Sequence, residues 1–268
     1  KMDGLGNDFI IFDKRKKSVS LTKNQILKIS NRKNIGCDQV ILIDNDKSSN
    51  AYLTFYNSDG GEIAACGNGS RCVAYLLMKE NNDNKIILRT KVGTLRAELN
   101  KKNSVTINMG QPNFKWKKIP LSKEMDHKNL KIKINSIDKK EIVGGFSLSV
   151  GNPHIIFFVE DFDQFNIKEI GPKIENHIYF PEKCNVTLAS VKNKKHIRVK
   201  VWERGAGLTK ACGTAACAAV VAGAMLKINE RCTNVEFGEG LLNIDWKKDN
   251  NIYMTGEVSE VKKIIVNI

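Results

Sequence analysis

The tripeptide Ala-Cys-Gly occurs twice in this chain. It stands first in Ala65-Cys66-Gly67-Asn68-Gly69-Ser70-Arg71-Cys72 and again, 146 residues later, in Ala211-Cys212-Gly213-Thr214-Ala215-Ala216-Cys217. Each copy leads straight into an apolar run of helical character. A free thiol, with an ordinary pKa of about 8.5, is a poor base at neutral pH. At a helix N-terminus the unpaired amide N–H groups and the aligned peptide dipoles stabilise the thiolate. The glycine after each cysteine lets a ligand approach the backbone, and the same amides can bind a carboxylate. Two facing thiols could take a proton from one side of a carbon and return one to the other, which is the chemistry of a cofactor-independent racemase or epimerase. Either cysteine alone would pass as a small buried core residue, as free cysteine often is. The repetition argues otherwise, because packing does not require the same tripeptide at two helix starts. Cys72 and Cys217 fall inside the helices and read as core, and Cys37, Cys184 and Cys232 read as structural.

The elements that must position these thiols also repeat. Strands are expected at 8–13, 39–43 and 51–57, with a helix at 22–32 capped by Thr22 and presenting Leu21, Ile26, Leu27 and Ile29 on one face. A turn at Ser58-Asp59-Gly60-Gly61 precedes the first Cys-Gly helix, 68–80, and strands at 86–90, 93–99 and 104–109 follow it. The second half runs through strands at 131–134, 142–150 and 155–159, a helix at 167–176, and strands at 185–191 and 196–201. The second Cys-Gly helix, 214–227, is followed by strands at 234–237, 241–246 and 252–255, and a last strand is expected over 261–268. This is an internal repeat of roughly 140 residues. It implies an α+β fold of two similar domains, each a curved sheet wrapped round one apolar helix. A helix as uniformly apolar as 215–226 should be buried on all sides.

Composition narrows the class. The chain is 41% hydrophobic and 27% charged, an ordinary soluble balance, and 268 residues suffice for two domains. No apolar run approaches a membrane span, and none at the start resembles a signal peptide. The chain begins on Lys1 rather than methionine, which implies a few residues upstream. The net charge of +14 invites a nucleic-acid reading, but 35 of the 43 basic residues are lysines spread through turns. Base readout and bidentate phosphate contacts favour arginine, so the charge reads as a solvated surface. Seven cysteines without a secretion signal imply reduced thiols in the cytoplasm. The spacings of Cys66/Cys72 and Cys212/Cys217, with no paired histidines, do not suit zinc.

Several further segments complete a pattern: Lys1-Met2-x-Gly4-Leu5-Gly6-Asn7-Asp8-Phe9, Asp38-Gln39, Phe55-Tyr56-Asn57-Ser58-Asp59-Gly60, Asn108-Met109-Gly110-x-Pro112, Gly151-Asn152-Pro153-His154, Glu203-Arg204-Gly205-Ala206-Gly207 and Tyr253-Met254-Thr255-Gly256. Together with the two Cys-Gly segments they resemble the diaminopimelate epimerase family over essentially the full length. The resemblance implies interconversion of LL-2,6-diaminopimelate and its meso form, without cofactor or metal, in lysine and peptidoglycan synthesis. It implies an active site in the cleft between the domains, with residues 1–113 and a returning C-terminal strand 257–268 in one domain and 114–256 in the other. It also implies a homodimer.

Carried over by resemblance, Cys66 and Cys212 are the acid/base pair, and Gly67, Asn68, Gly213 and Thr214 supply the helix-start amides for the α-carboxylate. Asn7, Gln39, Asn57, Asn152 and Asn185 are substrate-binding polar groups. Arg204 suits a distal carboxylate, since its fork matches carboxylate geometry, and Glu203 can accept from an ammonium. His154 and Glu203 correspond to residues that tune the thiols. Two positions depart from the family: Asp3 stands where histidine is common, and Thr214-Ala215-Ala216 where Ser-Gly-Ala is frequent. A proline or hydroxyproline epimerase of the same fold is disfavoured by Asn68, where that group tends to have histidine, and by Arg204. A thiol redox or nucleic-acid-binding protein leaves two matched helix-start cysteines unexplained.

Overall fold

The computed structural model describes residues 1–17, 19–135 and 140–266. The chain divides into two compact units, Lys1–Asn108 with Thr255–Ile268, and Met109–Met254.

The first unit contains β1 (Met2–Gly4), β2 (Asn7–Asp13), α1 (Lys23–Ser30), β3 (Gln39–Asp44), β4 (Ala51–Asn57), β5 (Glu62–Ile63), α2 (Gly67–Asn81), β6 (Lys85–Thr90), β7 (Gly93–Leu99) and β8 (Ser104–Asn108). Its sheet runs β1-β2-β3-β4-β6-β7-β8, with β5 beside β4. The pairs β2/β3 and β4/β6 are parallel. The near-continuous apolar run Val40-Ile41-Leu42-Ile43 suits a strand covered on both faces. Alternation sends Ile10, Val40 and Leu42 to one side, where they pack with Ile26 and Ile29 of α1. Phe9, Ile41 and Phe55 point the other way, against Gly69 of α2. Thr22 caps α1 in a reciprocal box with Gln25, as the sequence implied. Leu27 is 40% exposed rather than on the buried face.

The second unit repeats this plan. It contains β9 (Ile132–Asn135), β10 (Glu141–Gly144), β11 (Phe146–Ser149), β12 (Pro153–Phe158), α3 (Ile167–Glu175), β13 (Asn185–Asn193), β14 (His196–Glu203), β15 (Gly207–Thr209), α4 (Gly213–Met225), β16 (Cys232–Phe237), β17 (Gly240–Trp246) and the start of β18 (Ile252–Glu257). The order β11-β12-β13-β14-β16-β17-β18, with β15 beside β14, matches the first unit strand for strand. The pairs β12/β13 and β14/β16 are again the parallel ones. Ile155, Phe157, Val186 and Leu188 pack with Ile167, Ile170 and Ile174 of α3. The alanine-rich α4 is buried from Ala215 through Gly223, as its uniform apolarity required. The hairpin β9/β10 has no counterpart among the described residues of the first unit.

Two expected strands are also corrected. The strand expected over 142–150 is two strands, because Gly144 and Gly145 break it at φ +104° and +99°. A Cβ at Gly145 would lie 2.5 Å from Ile155 Cδ1, so the chain turns where only glycine fits. The C-terminal strand expected over 257–268 is also absent beyond Glu257, where β18 ends, among the described residues. The backbone of Ser259 donates to Asp3 and that of Lys262 to Lys1, two residues apart on one segment and three on the other. The two contacts are out of step by one residue, and no strand is formed there. Asn267 and Ile268 lie outside the described residues. Among the described residues, no helix is long and apolar enough to cross a membrane.

Candidate active site

Cys66 is the N-cap residue of α2, extended at φ −140° and ψ 117°. Its sulfur accepts the Gly69 N–H at 3.4 Å, filling the role a serine or aspartate oxygen usually plays at this position. The thiol also lies 3.8 Å from Asn7 Oδ1, to which it can donate. The Asn7 amide is oriented by Asp38, whose Oδ2 accepts from Nδ2 at 3.0 Å. Arg32 in turn donates to both Asp8 and Asp38. Gln39 and Asn57 face each other in the β3/β4 register, and Gln39 Nε2 donates to Asn57 Oδ1 at 3.1 Å. Gln39 Oε1 and Asn68 Oδ1 are buried without a hydrogen-bond partner among the described residues. A buried acceptor in that state costs about 1–3 kcal/mol until a donor reaches it.

Cys212 is the N-cap of α4, with nearly the same backbone, φ −133° and ψ 112°. Its surroundings differ. The Ala215 N–H reaches its sulfur too loosely to count as a capping hydrogen bond, and Thr214 Oγ1 lies 3.5 Å away. Burial first, and then the Glu203 carboxylate, push the Cys212 thiol well above its ordinary range. Burial likewise raises Glu203. The two form a coupled pair whose first negative charge resides on the carboxylate, the stronger acid.

Asn152 and His154 stand beside this second helix start. Asn152 Nδ2 donates to Thr214 Oγ1 at 3.3 Å, and His154 Nε2 lies 2.9 Å from Asn152 Oδ1. His154 is fully buried, and burial together with the Arg204 charge lowers its pKa to about 3, so its ring is neutral at pH 7. Asn185 ties two segments together, donating to the Pro153 carbonyl at 2.9 Å and accepting from the Arg204 N–H at 3.0 Å. The exposed Arg204 guanidinium donates to the Glu182 carbonyl at 3.1 Å and makes no ion pair with Glu203 among the described residues.

Each unit therefore gathers its own share of the expected residues: Asn7, Gln39, Asn57, Gly67 and Asn68 with Cys66, and Asn152, His154, Asn185, Glu203, Arg204, Gly213 and Thr214 with Cys212. Two carboxylates that hold these groups went unread in the sequence. Asp38 orients Asn7, and its signal was its place beside Gln39 in the matching Asp38-Gln39 segment. Glu175 accepts from Trp202 Nε1 at 2.7 Å and from the Gly205 N–H at 2.9 Å, which fixes the turn carrying Glu203 and Arg204. Its signal was an acid directly after the apolar stripe Ile167, Ile170 and Ile174. Among the described residues no cluster of three or more His, Cys, Asp or Glu is placed to hold a metal ion.

Comparison with known proteins places this arrangement. The diaminopimelate epimerase family matches residues 1–115 and 146–261. A curated diaminopimelate epimerase of Pelagibacter ubique is 52% identical over 268 residues, spanning 100% of this chain and 98% of that protein. The one from Caulobacter sp. is 42% identical, spanning 97% and 93%. Among solved structures, a phenazine biosynthesis protein of the PhzF family from Bacillus anthracis superposes with a TM-score of 0.68 at 16% identity, over 99% of this chain and 95% of that one. A hydroxyproline epimerase from Agrobacterium vitis gives a TM-score of 0.67 at 13% identity, over 97% and 89%.

Proposed function

Because the chain belongs to the diaminopimelate epimerase family, we propose that it interconverts LL-2,6-diaminopimelate and meso-diaminopimelate, with Cys66 and Cys212 as the two proton-transfer groups at one α-carbon. The observation that carries this reading is the identical placement of the two cysteines. Each is the N-cap of the helix seated in the same position of the same strand order, in two units built to one plan.

The chemistry follows from that placement. The first-turn amides of α2 and α4, at Gly67, Asn68, Gly213 and Thr214, have no intrahelical acceptor and suit the α-carboxylate. As the α-proton leaves, the developing negative charge is met by the positive ends of these helices; losing one such donor costs other enzymes roughly 2.7–4 kcal/mol. The orphaned acceptors of Gln39 and Asn68 fit an ammonium group. The exposed fork of Arg204 fits the distal carboxylate. One cysteine must be thiolate and the other thiol in each resting form, so the rate is bell-shaped in pH with values belonging to the pair.

The test is incubation with LL-diaminopimelate in D2O, following Cα deuteration and the meso isomer by NMR. Wild-type protein exchanges and epimerises, and Cys66→Ala and Cys212→Ala each lower epimerisation by about 100- to 10,000-fold. Absence of exchange in the wild type, or full epimerisation after Cys66→Ala, would falsify the mechanism. Turnover of trans-4-hydroxyproline in place of diaminopimelate would reassign the substrate. The cytoplasmic homodimer implied by the resemblance belongs to this reading, and light scattering on the purified chain tests the dimer by its mass.

A further inference from the structure

We propose that the Thr214 hydroxyl is a dedicated hydrogen-bond donor to the Cys212 sulfur, held in that orientation by Asn152 and His154. The three side chains form one directed chain. His154 is neutral, so one ring nitrogen donates and the other accepts. Nε2 faces the Asn152 Oδ1 acceptor at 2.9 Å and therefore carries the proton. Nδ1 is the bare acceptor, buried without a partner among the described residues. With its Oδ1 held by His154, the Asn152 amide turns Nδ2 toward Thr214 Oγ1 at 3.3 Å. Thr214 then accepts from Asn152, and its own single proton is free for the Cys212 sulfur 3.5 Å away.

The surroundings keep this chain in place. Asn185 holds the Pro153 carbonyl, and Ser147 Oγ donates to the His154 carbonyl at 2.8 Å, so the segment carrying Asn152 and His154 is pinned on both sides. Of the strands packed against α4, β14 brings the Glu203 carboxylate to Cys212 and β12 brings His154 to the relay; Arg204 is the charge acting on His154. Glu203 opposes the thiolate. Thr214 supplies a donor that stabilises it, which is what a buried thiol beside a carboxylate needs if it is to surrender its proton reversibly. Thr214 thus does more than present a backbone amide, and Asn152 and His154 are positioning residues acting through it.

The inference rests on Cys212 being one of the two proton-transfer groups, and its test is made without substrate so that the two readings fail separately. The full chain is alkylated with iodoacetamide across a pH series, and modification of Cys66 and Cys212 is followed peptide by peptide by mass spectrometry. Thr214→Val keeps the shape and removes the hydroxyl. It should raise the pH midpoint of Cys212 alkylation by about one unit, a roughly 10-fold loss of rate at a fixed pH below the midpoint. Thr214→Ser should keep the wild-type midpoint. Asn152→Ala, which leaves the helix start intact, should shift Cys212 in the same direction by less. Cys66 should be unmoved in all three. An unchanged Cys212 midpoint in Thr214→Val overturns the proposal, as does a Thr214→Ser shift equal to that of valine, or a shift of Cys66 in step with Cys212. Should the valine variant not fold, an unmoved midpoint in Asn152→Ala overturns it in the same way.

Discussion

The two helix starts share a tripeptide and a backbone, yet their thiols are set in different chemistry. Cys66 caps α2 through its own sulfur and faces an amide oxygen, Asn7 Oδ1. Cys212 is reached only loosely by the equivalent amide, Ala215 N–H, and is set between a carboxylate, Glu203, and a hydroxyl, Thr214. Even the helix seats differ. The third residue after Cys66 is Gly69, where a Cβ would come within 2.8 Å of Ile41, 3.1 Å of Phe55 and 3.3 Å of Phe9. The third residue after Cys212 is Ala215, fully buried and accommodated. Repetition of a motif therefore preserved the helix-start backbone at each cysteine, while different neighbours make the two thiols inequivalent.

The largest effect expected on this contrast comes from Glu203→Gln. Removing the carboxylate takes away a charge that raises Cys212, so the thiol ionises at lower pH. Its alkylation at pH 8 should accelerate about 10-fold or more, one pK unit being a factor of ten, while Cys66 stays unchanged. Equal acceleration of both thiols would break the comparison.

A second difference concerns acid. His154, linked to Thr214 through Asn152, is pushed down to about 3 by burial and the Arg204 charge, against an ordinary value of about 6.5. The unfolded chain therefore binds the proton first as pH falls. Stability associated with His154 is complete above about 6.5 and drains away toward 3. Between pH 6.5 and 5 this amounts to about 2 kcal/mol. His154→Gln should flatten the dependence of unfolding free energy on pH by that much in urea titrations, whatever its effect at neutral pH. An unaltered slope would mean that the ring is solvated enough to protonate in place.

The smallest effects concern the helix seats. Gly69→Ala should lower stability by about 1 kcal/mol, because overpacking of about 1–3 kcal/mol exceeds a helix-propensity gain of up to about 1. Ala215→Gly should also lower it by about 1 kcal/mol, from propensity alone. Two opposite substitutions with the same sign would show that the seats are not interchangeable. Stabilisation by Gly69→Ala, read as a higher urea midpoint, would show that they are.

Much of this was legible in the sequence because it is local. The apolar runs of β2, β3, β12 and β13, the Thr22 cap and the uniform apolarity of α4 each arise within a few residues. So does the presence of a cysteine at each helix start. The break at Gly144–Gly145 and the loss of the strand after Glu257 were not legible. The first is decided by the Ile155 side chain against Gly145, and the second by how the tail meets Lys1 and Asp3 at the other end of the chain.

The sequence by itself determined that two thiols would head two equivalent helices in two equivalent units, since that follows from short-range pattern and its repetition. Only the tertiary structure decided what each thiol meets. Asn7 reaches Cys66 from 59 residues away, and Asn152 reaches Thr214 from 62. These contacts depend on α2 packing against β2 and α4 against β12, across the sheet of each unit. Proton affinity depends on burial, charge and donor direction within a few ångströms, and in this chain only the folded backbone places those groups there.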